Sequence, residues 1–241
     1  MAKPNGYVLY EGPSLLDGKP IVVVATMSTN NAKTGDMVQT WILRSDIEPH
    51  KALQTGDDSS VCGNCIHRPA KQGSCYVTVF QAPLTVYRAY HRGAYSYDTA
   101  EFKTRLATRK LRIGAYGDGA AAPATMWLEY TQVAMGHTGY THQIDHAGFD
   151  KRMLDVAMVS ADTEAQARKL QAQGIRYFRT IREGIDAPLE RREVECLSDS
   201  MGRSCADCLL CDGGTKGQSV YINIHGAKAS NYNPDIIAVA A

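Results

Sequence analysis

A chain of 241 residues can bury roughly three quarters of its unfolded surface, so its core needs no covalent staples. With 44% hydrophobic and 21% charged residues and a net charge of +1, the composition excludes a disordered chain and a bulk electrostatic grip on nucleic acid or on an anionic membrane. No window approaches the ~20 apolar residues of a membrane helix, and no apolar stretch follows Lys3, so a cytoplasmic protein without a membrane partner is expected.

Residues 21–26 and 38–43 are β-rich apolar runs separated by a Gly/Asn/Thr-rich stretch, which predicts two strands and a polar loop. The loop 61–75 follows, where glycines and a proline forbid a regular element, and 76–80 reads as a further strand. Beyond it the pattern alternates. It predicts a helix over 99–109, a strand over 111–116, a helix opened by Pro123 and a strand over 138–142. A short helix around Asp150 precedes a strand over 156–160, a helix over 164–173, a strand over 175–181 and a last strand over 219–225. The tail after Gly226 reads as loose until 236–239.

Strands and helices alternating at this spacing predict an α/β fold of parallel βα units. A barrel-like or incomplete barrel is expected rather than an open doubly wound sheet, because no Gly-rich nucleotide fingerprint follows any strand. One domain spans 1–241, with the cysteine loop 61–75 and the segment 195–214 as metal-binding insertions.

Seven cysteines is an odd number, and a reducing cytoplasm disfavours disulfides, so clustered cysteines there point to metal binding or catalysis, with buried free cysteine as the plainer role. Cys205, Cys208 and Cys211 form a Cys-x2-Cys-x2-Cys run, and Cys196 upstream completes a four-thiolate set. A triplet this close wraps an iron–sulfur cluster, as ferredoxin loops do, whereas zinc more often uses two separated knuckles. Cys62, Cys65 and Cys75 form a second set of only three thiolates. His67 is the nearest candidate for a fourth ligand in a Cys3His zinc site; otherwise one position is left open, the catalytic arrangement of a cluster. Iron–sulfur centres, one or two, are therefore expected as cofactors, with zinc as the alternative.

In parallel α/β layers functional side chains collect beyond the strand C-termini. Gly117 and Asp118, His142, Asp145 and His146, Ser160 and Asp162, and Arg179 and Arg182 all fall at such positions. Asp118, His142, Asp145, His146 and Arg179 are the candidate catalytic residues; Gly117 and Asp162 join Cys62, Cys65 and Cys75 as candidate cofactor-binding residues. Each has a plainer role open to it: an Asx turn for Asp118, a capping loop for Asp162, hydrogen-bonded structure for the histidines, a carboxylate partner for Arg179. The aromatic and basic stretches 87–92 and 95–97 are either a nucleotide-stacking surface or an ordinary amphipathic face.

The runs 62–65 and 73–77, together with 111–118, 138–142 and the Cys-x2-Cys-x2-Cys segment, resemble a family of uncharacterised, cysteine-rich bacteriophage proteins over most of the chain. The Cys75-Tyr76 close of the first loop also looks distantly like phage proteins akin to radical S-adenosylmethionine enzymes. The Cys-x3-Cys-x2-Cys spacing of that superfamily is absent here. The resemblance implies a phage protein in a bacterial cytoplasm and brings no established activity; that context together with the cysteine sets leads to the expectation of an enzyme modifying a nucleotide or nucleic acid, and the distant likeness adds S-adenosylmethionine as a ligand. The competing expectation is a zinc-stabilised, non-catalytic protein that binds nucleic acid or a host protein.

Overall fold

The computed structural model describes residues 3–189 and 192–233. Its first third is a meander: β1 (Gly6–Pro13), β2 (Pro20–Thr26) and β3 (Met37–Arg44) pair antiparallel. The β-branched run of β2 is buried on both faces, as suits a strand between two neighbours. Helices α1 (Pro49–Thr55), α2 (Ser59–Cys62), α3 (Ala82–His91) and α4 (Thr99–Leu106) lead the chain back to β4 (Lys110–Tyr116), which lies parallel to β3. The Asp98 carboxylate caps α4 by accepting from the Glu101 amide.

From α5 (Ala124–Val133) onward the chain alternates as expected: β5 (His137–Thr138), β6 (Tyr140–Thr141), β7 (Met158–Ala161), α6 (Glu164–Ala172) and β8 (Tyr177–Ile181). Then come β9 (Glu193–Glu195), α7 (Leu197–Met201), α8 (Cys205–Cys208) and β10 (Ser219–Asn223). Thr163 caps α6 through the Gln166 amide, and Gly174 beyond its end adopts φ +71°, open to glycine without strain.

The strands form two five-stranded sheets, ordered β1-β2-β3-β4-β5 and β6-β7-β8-β10-β9, the second wholly parallel. The chain passes from one to the other at Gly139, which splits the strand expected over 138–142. Its amide donates to the Cys211 carbonyl, and its own carbonyl accepts from Met158. A Cβ there would lie 2.8 Å from the Val156 carbonyl oxygen, so only glycine fits.

The fold is thus mixed α/β with a parallel sheet, and the expectation of a barrel is corrected: among the described residues the sheets end at β1 and β5 and at β6 and β9, β1 meeting only an isolated bridge from Ser96, and no barrel closes. The strand expected over 76–80 is a loop. Tyr76 and Phe80 are both exposed there, and no neighbouring strand supplies a ladder. The expected stretch 236–239 lies outside the described residues.

The main core, built around Trp127, Phe102 and Tyr7, lies between the first sheet and α4 and α5; a second, smaller cluster of Val159, Tyr177 and Ala167 sits under α6. No helix among the described residues is long and apolar enough to cross a membrane.

Candidate metal centres and their shared cavity

Successive residues of a strand point to opposite faces, so positions i and i+2 share one. On the second sheet, Val159, Ala161, Tyr177, Arg179 and Ile181 are buried on the face covered by α6. The other face supplies Tyr140 and His142, Ser160 and Asp162, Phe178 and Thr180, and Ile222 and Ile224, two from each of four strands or their ends. These line a cavity of about 280 Å³. Arg112 of β4 also reaches it, its guanidinium 5.8 Å from the centre of the Tyr140 ring. Both cysteine segments border this cavity, Cys65 and Cys75 from the first and Cys196 and Cys205 from the second.

The first segment is held from behind. Arg68 is buried with Asp58 in a bidentate pair at 2.5 and 2.9 Å, and it also donates to the carbonyls of Gly56 and Gly63. Gln143 clamps the Cys62–Cys65 turn: its Nε2 donates to the Cys62 carbonyl at 3.0 Å and its Oε1 accepts from the Asn64 amide at 3.1 Å. Gly63, at φ +51°, packs so tightly on Gln143 that a Cβ would fall 2.1 Å from Oε1. The loop then doubles back, with the Cys75 amide donating to the His67 carbonyl, which sets Ser74 against the His67 ring.

All seven cysteines are free thiols. Burial pushes Cys62 well above the ordinary thiol range, and nearby charge on Cys65, Asp58, Cys75 and Asp118 adds to it. Burial raises Cys75 as well. In the second segment burial pushes Cys211 up to about 12, reinforced by Cys196, Cys205 and Cys208. Burial also raises Cys205, with the Arg112 charge working against it. These influences put the thiols of each set in one neighbourhood, but among the described residues no three sulfurs gather within 4.8 Å of one another, and the one such group of ligand atoms is His67, His142 and Asp162.

The second segment is anchored by backbone and by Arg176. The amides of Cys205 and Ala206 donate to the carbonyls of Lys33 and Thr34, and Arg176 donates to Asp212 at 2.7 Å and to the carbonyls of Leu210, Gly213 and Gln218. Ser204 caps the short α8 through the Asp207 amide.

The polar residues expected at the strand ends divide. His142 and Asp162 enter the cavity together with His67 and Ser74, which spacing alone does not connect to them. Asp118 stands behind the wall: its carboxylate accepts from the amides of Ala120 and His142 at 3.0 and 2.7 Å, fixing where His142 points. Gly117, at φ +81°, forms the turn that brings Asp118 there against Ile42.

Asp145 is 85% exposed and 4.0 Å from Lys169, outside this cavity. His146 is occupied by the Leu16 carbonyl at 3.1 Å and the Gly148 amide at 3.1 Å. Arg179 lies on the buried face of β8, in a two-toothed pair with Glu193 at 2.8 and 2.7 Å. Arg182 pairs with Asp186.

In the cavity, the His67 Nε2 is 2.8 Å and the His142 Nε2 3.5 Å from the same Asp162 oxygen. Burial opposes charge on His142, but neighbouring Cys65 and the Asp162 carboxylate outweigh it and hold the ring well above its ordinary pKa. Burial likewise opposes charge on Asp162, and His142 and His67 overcome it, so the carboxyl is held below the usual range.

No protein-family model matches this chain, and neither a curated protein nor a solved structure does.

Proposed function

We propose that the chain is a metalloprotein with one thiolate-bound centre on each cysteine segment, and that these are iron–sulfur clusters serving an enzyme. The observation that carries this reading is the shared cavity. Two cysteine sets far apart in sequence, 62–75 and 196–211, border one small chamber. The donor types support the reading: seven free thiols in two sequence groups, three in the first and four in the second, whose sulfurs would draw together around a bound centre, since no three of them lie within 4.8 Å of one another without it. A four-thiolate set is closed and suits an electron-carrying or structural centre, while a three-thiolate set leaves a position for a small ligand. When bound, such clusters supply one-electron chemistry.

What the chain's own residues do can be derived. Arg112 presents a cation to the chamber without a carboxylate partner among the described residues, and Tyr140 and Phe178 offer aromatic faces. A guanidinium beside aromatic rings suits an anionic, planar substrate, with phosphate on the former and a base on the latter. The substrate class proposed is therefore a nucleotide or a nucleic-acid terminus, in the bacterial cytoplasm of a phage-infected cell. The distant likeness noted above makes S-adenosylmethionine a ligand to try. The closed set of Cys196, Cys205, Cys208 and Cys211 favours one second reading, structural zinc in a non-catalytic binding protein.

Anaerobic purification followed by iron, zinc and acid-labile sulfide analysis, with a visible spectrum of the same sample, separates the two. Iron and sulfide in stoichiometric amounts with a brown colour are expected. A colourless protein holding only zinc sinks the cluster reading and leaves the binding protein.

A further inference from the structure

Around Asp162 the cavity gathers a second kind of donor, nitrogen and oxygen rather than sulfur. His67 approaches from the first cysteine loop, His142 from the end of β6 and Asp162 from the end of β7, and their ligand atoms all lie within 4.8 Å of one another. Two donors each ~2.1 Å from one divalent ion stand about 3.0 Å apart in octahedral geometry and about 3.4 Å apart in tetrahedral geometry. The observed separations of 2.8 Å and 3.5 Å from the Asp162 oxygen bracket those values.

Two further observations point the same way. The Nε2 of His142 is buried and has no hydrogen-bond partner, although its backbone is held in place by Asp118. Its 3.5 Å separation from the Asp162 oxygen, at the limit of hydrogen-bond reach, is the spacing that two donors of one shared ion take up. The outer nitrogen of His67, Nδ1, is 2.8 Å from the Ser74 hydroxyl. Metal-bound imidazoles characteristically hold such a contact on the nitrogen facing away from the ion, which fixes ring orientation and tautomer.

We propose that His67, His142 and Asp162 bind one divalent transition-metal ion of the iron(II) or zinc class, distinct from both thiolate centres. Two imidazoles and one carboxylate leave coordination positions for water or an anionic ligand on the cavity side. The site goes beyond the thiolate reading and does not depend on it, because none of its three ligands is a cysteine. Its chemistry also differs: manganese suits carboxylate and imidazole but not thiolate, so the two kinds of site can be filled separately.

The test compares wild type with His142→Gln and Asp162→Asn, each checked for folding by circular dichroism. Each is saturated anaerobically with manganese(II), and all bound metal, retained and added, is counted beside acid-labile sulfide. Wild type is expected to hold one more divalent ion per chain than either variant, with sulfide and cysteine-bound metal unchanged. Ser74→Ala, which touches only the outer nitrogen of His67, should weaken manganese binding about ten- to a hundredfold without abolishing it.

Equal metal in wild type and variants overturns the proposal and leaves Ser74, His67 and Asp162 as a hydrogen-bonded relay. Loss of sulfide or of cysteine-bound metal in the variants also overturns it, making these residues ligands of the first thiolate centre. Failure of the thiolate reading shows separately, as wild type without sulfide or cysteine-bound metal.

Discussion

Arg179 shows how a single residue divides between two roles that sequence leaves open. Its place on a strand beside apolar neighbours called for either a polar cavity or a carboxylate, and the structure supplies the carboxylate, with Arg179 and Glu193 only 2% and 0% exposed. Glu193 lies fourteen residues downstream, past the chain's turn into β9, so the partner could not be picked from local spacing. Replacing one member of such a pair strands the other charge in the interior. Arg179→Met should therefore cost about 3–5 kcal/mol in denaturant unfolding while leaving metal content per folded chain unchanged. A variant of near-normal stability that loses metal or ligand binding would return Arg179 to the site. His67 shows the opposite case: as a neighbour of Cys65 it reads as a fourth ligand, yet its ring turns to Asp162, ninety-five residues away.

Among the elements, those most legible in the sequence carry unbroken β-branched runs or clear caps. β2, β3, β7, β8 and β10 overlap the expected strands, and α6 starts where Thr163 signals it. β1 is not legible in the sequence, because Gly6, Gly12 and Pro13 interrupt its apolar pattern and pairing with β2 makes it a strand. The stretch 76–80 misleads in the other direction, having strand-like composition and no strand beside it.

The cysteine segments stood out from spacing alone, as largely irregular stretches broken by the short α2, α7 and α8, and their role as metal ligands is a proposal. Their convergence on one cavity did not, since it depends on the sheet order and on the crossing at Gly139. These segments also carry a pH dependence. With the Cys62, Cys75, Cys205 and Cys211 pKa values raised, the metal-free sets hold protons at neutral pH, and metal must displace them. Acid favours the protonated, metal-free form, so affinity should fall about tenfold per pH unit for each proton released. Proton release on metal addition at pH 7, together with weaker binding on acidification, is the expected outcome; binding indifferent to pH would show that the thiols are not the ligands.

For the molecule as a whole, both cysteine segments border one chamber on a parallel sheet that stops short of closing, and one thiolate centre is proposed on each segment. The most direct measurement is metal and sulfide content, per chain, of wild type, Cys65→Ala and Cys208→Ala purified anaerobically side by side. Each variant should lose one centre and keep the other, and the two losses together should equal the wild-type content. If either variant loses everything or nothing, or if wild type holds no thiolate-bound metal, the two-centre account is contradicted.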